Sequence, residues 1–446
     1  MKSRSGTQAS GSKVVRGHTP KGVGPVFSRI ASYRREMTGQ ILGLFSLWGY
    51  SEITLPSFEY LDSLSPGLDP TLLNKAYTLQ DRGSGHVLIL RPDATAQIAR
   101  LAAQSNETDG NSSRYSYSTS VFRHEDHHIL EREILQTGIE LFGDPSSQAD
   151  WEILSICLEG SHLLGLKNPT LVLAHEGIQR SALKHLCKGL TGEAEHAIQR
   201  AFFAHDFRGI RERSNARTTA HKNLLKLIER MLEKNHTLTE SLKLLSDAEK
   251  LEVSGDWTIG VENLAELLRL MKDQKEKSIQ VDFALRPSGP YYSGMIFHIY
   301  SSGAYQELAS GGRYDTLPAL FGKSMPATGF AFHVNRIESL FQELPERGHR
   351  KGLGVLFSGK GKETREKMTI LAQELRRKGI PVVYINSKEE RSPFNISRVL
   401  PQYPAIGAVL QFEENTVRLV DSEGSIHDFE GELPDPDRVI KSLGER

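Results

Sequence analysis

The chain has 446 residues, with 55 Lys and Arg balanced by 55 Asp and Glu, 38% hydrophobic residues and two cysteines. At about 100–200 residues per domain, this length predicts two or three domains with a substantial core. The balanced charge and a mean hydropathy of −0.38 argue against a protein held to nucleic acid or membrane by net charge alone. No apolar run is long enough for a membrane span, and Cys157 and Cys187 form neither a disulfide framework nor a zinc knuckle, so a reducing cytoplasm is expected.

Residues 1–25 are basic and rich in Gly and Ser, without the apolar stretch of a secretory signal, and read as a disordered tail. From Val26 to Trp48 apolar residues recur at helical spacing, with Gly49 placed as a cap. Tyr50 to Tyr60 alternates like a strand but contains Pro56, which suits an edge. Strands are expected at Val87–Leu90, Tyr115–Phe122 and Ile134–Phe142, a helix at Thr95–Ala103, an exposed loop over 104–114 and a helix from Asp150 to about Leu164. Residues 170–275 read as a mostly helical insertion, and strand-like and glycine-rich patterns resume at Ile279. After a linker at about 343–351, the strand GLGVLF, a helix over Glu363–Lys378 capped by Gly379, and the strand IPVVYI form a βαβ unit, so 351–446 is expected to be a small α/β domain.

Four strings carry chemical signals. His124-Glu125-Asp126-His127-His128 is a literal HExxH, but the zinc chemistry of that motif needs a helix, and a strand-like stretch precedes it; a solvated polar loop is the better explanation. Arg91-Pro92-Asp93-Ala94-Thr95-Ala96-Gln97 reads as a strand end, a turn and a helix start, where Asp93 and Thr95 are ready-made caps. Phe122-Arg123-His124-Glu125 is followed by Gln136 and Glu140 at even spacing, a pattern that lines one face of an antiparallel pair with a guanidinium suited to a carboxylate or phosphate. Gly311-Gly312-Arg313 and Gly329-Phe330-Ala331-Phe332-His333-Val334-Asn335-Arg336 allow close backbone approach, with Arg336 directed from a helix into the same cleft.

In this order the strings resemble the histidyl-tRNA synthetase-like core of class II synthetases, over about residues 26–343, and the βαβ tail resembles that family's anticodon-binding domain. The resemblance implies an α+β fold: an antiparallel sheet of six or more strands flanked by helices, with a helical insertion, a small C-terminal α/β domain and a homodimer. Two branches of the family compete. The synthetase usually reads Arg-Pro-Glu-Gly-Thr, whereas Arg91-Pro92-Asp93-Ala94-Thr95-Ala96-Gln97-Ile98-Ala99-Arg100 is closer to the Arg-Pro-Asp-Met-Thr-Pro-Gln-x-Ala-Arg of the regulatory subunit of ATP phosphoribosyltransferase. The loop after FRHE carries Asp126 and Glu131, unfavourable beside a triphosphate. In Arg286-Pro287-Ser288-Gly289-Pro290-Tyr291-Tyr292, Pro287 stands where the synthetase has its catalytic arginine, and Arg286 replaces it only if the backbone shifts.

The regulatory branch implies no catalytic residue, cofactor or metal, a short-form catalytic ATP phosphoribosyltransferase subunit as partner, and histidine as effector. In a surviving histidine pocket, Asp93 and Glu140 would hold the ammonium, Gln136 and Thr95 would add neutral hydrogen bonds, Tyr291 and Tyr292 would wall the imidazole and Arg123 would face the carboxylate. Gly311, Gly312 and Arg336 would line it. Charge also separates the branches. The tail holds Lys2, Arg4, Lys13, Arg16 and Lys21, leaving 50 basic against 55 acidic residues, and the segment from Lys351 onward has 15 of each. A domain without basic excess is poorly suited to tRNA.

Overall fold

Pro56 splits the first strand-like segment between two sheets. In the computed structural model, β1 (Ser51–Glu52) runs parallel to β5 (Ser113–Phe122) at one edge of the main sheet. Beyond the proline, β2 (Phe58–Tyr60) pairs instead with β4 (Val87–Leu90), which also pairs with β3 (Thr78–Gln80). Proline cannot donate to a ladder, so the break falls there. The structure describes residues 19–20, 22–105, 112–124, 131–214, 218–251, 253, 255–273, 278–289, 291–341, 355–358, 362–380, 382–384, 408–412, 416–421, 424–430 and 434–444. Most of the expected tail, the interior of the 104–114 loop, residues 125–130 with the last four of the HExxH string, Pro290 and the whole 343–351 linker fall outside them.

Helix α1 (Ser28–Leu47) buries Met37, Ile41, Leu44 and Phe45, which its period brings to one face. Gly49, at φ +83°, lets the chain leave the helix, and the Tyr50 N–H donates back to the Phe45 carbonyl. Short helices α2 (Leu61–Leu64) and α3 (Pro70–Lys75) lie within the small-sheet region, and α4 (Ala94–Gln104) follows the Arg-Pro-Asp turn. Then come β6 (Glu133–Phe142) and α5 (Ser147–Leu163).

Residues 170–175 differ from the expected insertion. Thr170–His175 is strand β7, inside the sheet between two neighbours, with Leu171 to His175 all buried. A strand covered on both faces loses its alternation and cannot be told from a buried helix by periodicity. The helical part begins one residue later, as α6 (Glu176–Leu186), α7 (Glu193–Phe203), α8 (Phe207–Arg213), α9 (Thr219–Leu232), α10 (Leu238–Ala248) and α11 (Gly255–Leu270), interrupted by β8 (His236–Thr237). The chain returns through β9 (Ile279–Val281), β10 (Met295–Tyr300), β11 (Ala309–Arg313), β12 (Ala327–His333) and α12 (Val334–Ser339).

The main sheet has nine strands in the order β1-β5-β6-β12-β11-β10-β7-β9-β8, antiparallel except for β1/β5 and β7/β9. One face of its centre, with Ile139, Leu141, Phe330 and Phe332, packs with α1 and α5 residues in the principal core. The opposite face carries Tyr117, Glu140, Phe142 and Ala331 and bears the candidate site.

The chain divides into two units, Met1–Gln342 and Glu343–Arg446. In the second, β13 (Val355–Ser358) and β14 (Val382–Tyr384) are parallel and joined through α13 (Lys362–Arg377), the expected βαβ unit. Strands Ala408–Phe412, Thr416–Asp421 and Ile426–Glu430 complete a five-stranded sheet, and a helix spans Pro436–Gly444.

Candidate functional site

Register decides which side chains meet. Glu140 lies opposite Tyr115 on β5 and Gly329 on β12, and Gln136 lies opposite Thr119 and His333. Because strand side chains alternate, Gln136 and Glu140 share a face with Tyr117, Arg123 and His333. These residues, together with Asp93 and Thr95 at the start of α4 and Tyr291 and Tyr292 on the loop before β10, enclose a polar cavity of about 130 Å³. One ordered water needs only about 10–15 Å³ on a comparable measure, so this space suits a small polar ligand.

Glu140 is 1% exposed. It accepts hydrogen bonds from Thr95 Oγ1 at 2.9 Å, from the Tyr117 hydroxyl at 3.5 Å and from the Tyr314 hydroxyl. Burial raises its carboxyl from the ordinary value to about 8, against the opposing pull of these donors. No Cβ fits at position 329: one built there would lie 1.8 Å from Glu140 Oε2 and 2.4 Å from the Ile139 carbonyl. Gly329 therefore makes room for the carboxylate.

Asp93 serves two purposes. Its Oδ1 caps α4 by accepting from the Thr95 N–H at 2.7 Å and the Ala96 N–H at 3.4 Å. Its Oδ2 accepts from the Tyr291 hydroxyl at 3.3 Å and from Arg123 Nη2 at 3.4 Å. Arg123 is oriented by a 2.7 Å bond from Nε to the Pro92 carbonyl, and its remaining donors are available to the cavity. Tyr291 and Tyr292 lie with ring centroids 5.0 Å apart, and Tyr291 meets Tyr314 edge-on at 5.8 Å.

At the other end Arg336 is held by carboxylates. Its Nε bonds Glu131 Oε2 at 3.0 Å and its Nη1 bonds Glu307 Oε1 at 2.7 Å. His333 shares a 3.3 Å hydrogen bond between Nε2 and Ser310, while its buried Nδ1 has no hydrogen-bond partner among the described residues. Burial, helped by Arg336, lowers the imidazole to about 3, so it stays neutral.

Nine of the ten expected site residues line this cavity: Asp93, Thr95, Arg123, Gln136, Glu140, Tyr291, Tyr292, Gly311 and Arg336. Gly312 does not. A Cβ on it would lie 2.9 Å from the Tyr292 ring and 2.3 Å from the Met295 carbonyl, so it seats the tyrosine instead of lining the space. Arg313 is also elsewhere, held by Asp150, Asp315 and two carbonyls. Arg286 turns away from the cavity onto the ring of Phe203, at 5.5 Å, and does not replace the missing arginine. Of the HExxH string only His124 is described, and it meets Tyr77 edge-on at 6.2 Å.

Tyr117, His333, Ser310, Tyr314 and Glu307 also line the cavity. Two of them were legible: Tyr117 and His333 stand at even spacing from Arg123 and Gly329 on their own strands. Tyr314 follows the last residue of β11 and Glu307 stands two residues before its first, outside the strand, where period-two alternation says nothing.

Residues 23–337 match the family model for histidyl-tRNA synthetase. An ATP phosphoribosyltransferase regulatory subunit of Chromohalobacter salexigens is 31% identical over 73% of this chain and 82% of its own length. The chain belongs to the histidyl-tRNA synthetase-like family, with the ATP phosphoribosyltransferase regulatory subunits. The regulatory subunit of Halothermothrix orenii is 26% identical over 92% of this chain and 96% of its own. Among solved structures, one described as an ATP phosphoribosyltransferase regulatory subunit/histidyl-tRNA synthetase from Bacillus halodurans superposes with a TM-score of 0.72 at 24% identity, covering 87% of this chain and 97% of that one. Histidyl-tRNA synthetase from Nostoc gives the same TM-score at 16% identity, covering 96% and 100%. These two likenesses show the fold, the α+β architecture expected from the sequence.

Proposed function

We propose that the chain is the regulatory subunit of ATP phosphoribosyltransferase, which joins a short-form catalytic subunit in the first step of histidine biosynthesis and passes histidine feedback to it without activating histidine itself. The capture of Arg336 by two carboxylates carries this reading. Adenylation must neutralise a triphosphate, which requires cations free to meet it. Among the described residues lining the cavity the arginines are Arg123 and Arg336; the first contacts Asp93 and the second is gripped by Glu131 and Glu307. An arginine between two carboxylates presents a net negative group, which disfavours polyphosphate.

A zwitterionic amino acid fits better. A buried ligand needs both charges and its hydrogen bonds satisfied: Asp93 and Glu140 meet the ammonium, Arg123 the carboxylate, Gln136 a neutral donor or acceptor, and Tyr291 and Tyr292 flank the imidazole. Thr95 acts on the ligand through Glu140, which its hydroxyl already holds. Effects on the partner pass through an interface, where coupling of about 1–3 kcal/mol, a factor of roughly 5–150, is usual.

A homodimer belongs to the same reading. Phe58, Tyr60 and Leu79 are 52%, 46% and 40% exposed. They share the face of the small sheet opposite Ile89, which is buried in a cluster with Leu64, Leu68 and Ala96. A second copy is the occupant we assign to that apolar face.

The synthetase reading rests on the family model, and one pair of assays separates the two. The regulatory reading expects stimulation of a short-form catalytic subunit, reversed by histidine, and no histidine-dependent ATP–pyrophosphate exchange. Robust exchange without stimulation would establish the synthetase.

A further inference from the structure

On α7, His196, Gln199, Arg200 and Phe203 fall at i, i+3, i+4 and i+7 and so share one helical face. This face and Arg286-Pro287 line a separate cleft of about 340 Å³, within the range typical of small-molecule sites. Arg286 lies over the Phe203 ring, 5.5 Å from its centroid. A cation–π contact of this kind does not use up the guanidinium's N–H donors. Among the described residues no carboxylate pairs with Arg286, and Arg200 has only a loose 3.8 Å contact with Glu193, both side chains being well exposed. Exposed pairs of that kind contribute little. The cleft therefore brings together two guanidinium groups with little to neutralise them and the His196 imidazole, beside apolar surface from Phe203 and Pro287.

We propose that this cleft binds a small phosphate monoester with a flat apolar part, the phosphate on Arg286, Arg200 and His196 and the apolar part against Phe203 and Pro287. Bidentate guanidinium contacts suit phosphate oxygens, and the aromatic floor selects an ester over the bare ion. The site is distinct from the central cavity, to which neither arginine contributes.

Titration calorimetry of the full-length chain at low ionic strength, with phenyl phosphate and separately with inorganic phosphate, tests it. Saturable one-to-one binding of phenyl phosphate is expected, about tenfold tighter than that of inorganic phosphate and weakened about tenfold in Arg286→Met and in Arg200→Met. Phe203→Leu should narrow the gap between the two probes. Thermal unfolding of each variant checks that the exposed substitutions leave the fold intact. No saturable binding at millimolar phenyl phosphate, equal affinity for the two probes, or undiminished binding by a folded Arg286→Met protein would each overturn the proposal.

Discussion

Glu140 couples the cavity to pH. With its carboxyl raised to about 8 by burial, the empty cavity holds a protonated acid at neutral pH, whereas a bound ammonium favours the carboxylate. Binding therefore releases a proton, and histidine affinity should rise with pH up to about 8, by at most about tenfold per unit. Calorimetry in buffers of different ionisation heats measures this release; Glu140→Gln should abolish it, and a flat profile in the unsubstituted protein would refute the assignment. Loss of histidine binding in Arg123→Ala and Glu140→Ala is the companion test. Folding follows the opposite trend at this residue. Its carboxyl is raised above the unfolded value, so the stability it contributes is complete below about pH 4.5 and is lost as pH rises through about 8. His333 and His175, lowered to about 3 and about 4 by burial, contribute stability that is complete above about pH 6.5 and is lost as pH falls through those values. Gly329→Ala forces a methyl into Glu140 and the Ile139 carbonyl. Overpacking of this kind costs about 1–3 kcal/mol, to be read from urea denaturation, together with weaker histidine binding.

At the scale of elements, the start of α4 separates structure from recognition. Asp93→Ala removes the cap and should cost about 1 kcal/mol, whereas Asp93→Asn caps almost as well and should retain stability. Both lose the charge presented by Oδ2, so both should weaken histidine binding; urea denaturation and calorimetry on the same variants read the two effects apart. The sequence allows either role for Asp93; in the structure Oδ1 caps the helix and Oδ2 bonds Tyr291 and Arg123 at the cavity wall. Strands β5 and β6 were legible because alternation places Gln136 and Glu140 on one face whatever the register. The burial of β7 erases that signal, so the helical insertion expected from residue 170 begins only at Glu176.

At the scale of the whole molecule, Phe58→Glu combined with Tyr60→Glu should convert a dimer to a monomer in sedimentation experiments, because charge on the apolar face of the small sheet has no partner at an interface. An unchanged dimer would place the interface elsewhere. The order of four short strings and the spacing along each strand were sufficient to indicate the α+β fold and the C-terminal βαβ unit, and nine of the ten residues they nominate line the cavity, since strand and helix periods are local properties of the chain. Tertiary structure alone decided the rest. Tyr314 and Glu307 reach the cavity from irregular segments, Glu131 and Glu307 close on Arg336 across 205 and 29 residues of chain, and Arg286 finds Phe203 in the insertion instead of the cavity. Those contacts depend on strand register and on how a loop leaves a sheet, and no periodicity within one segment encodes either.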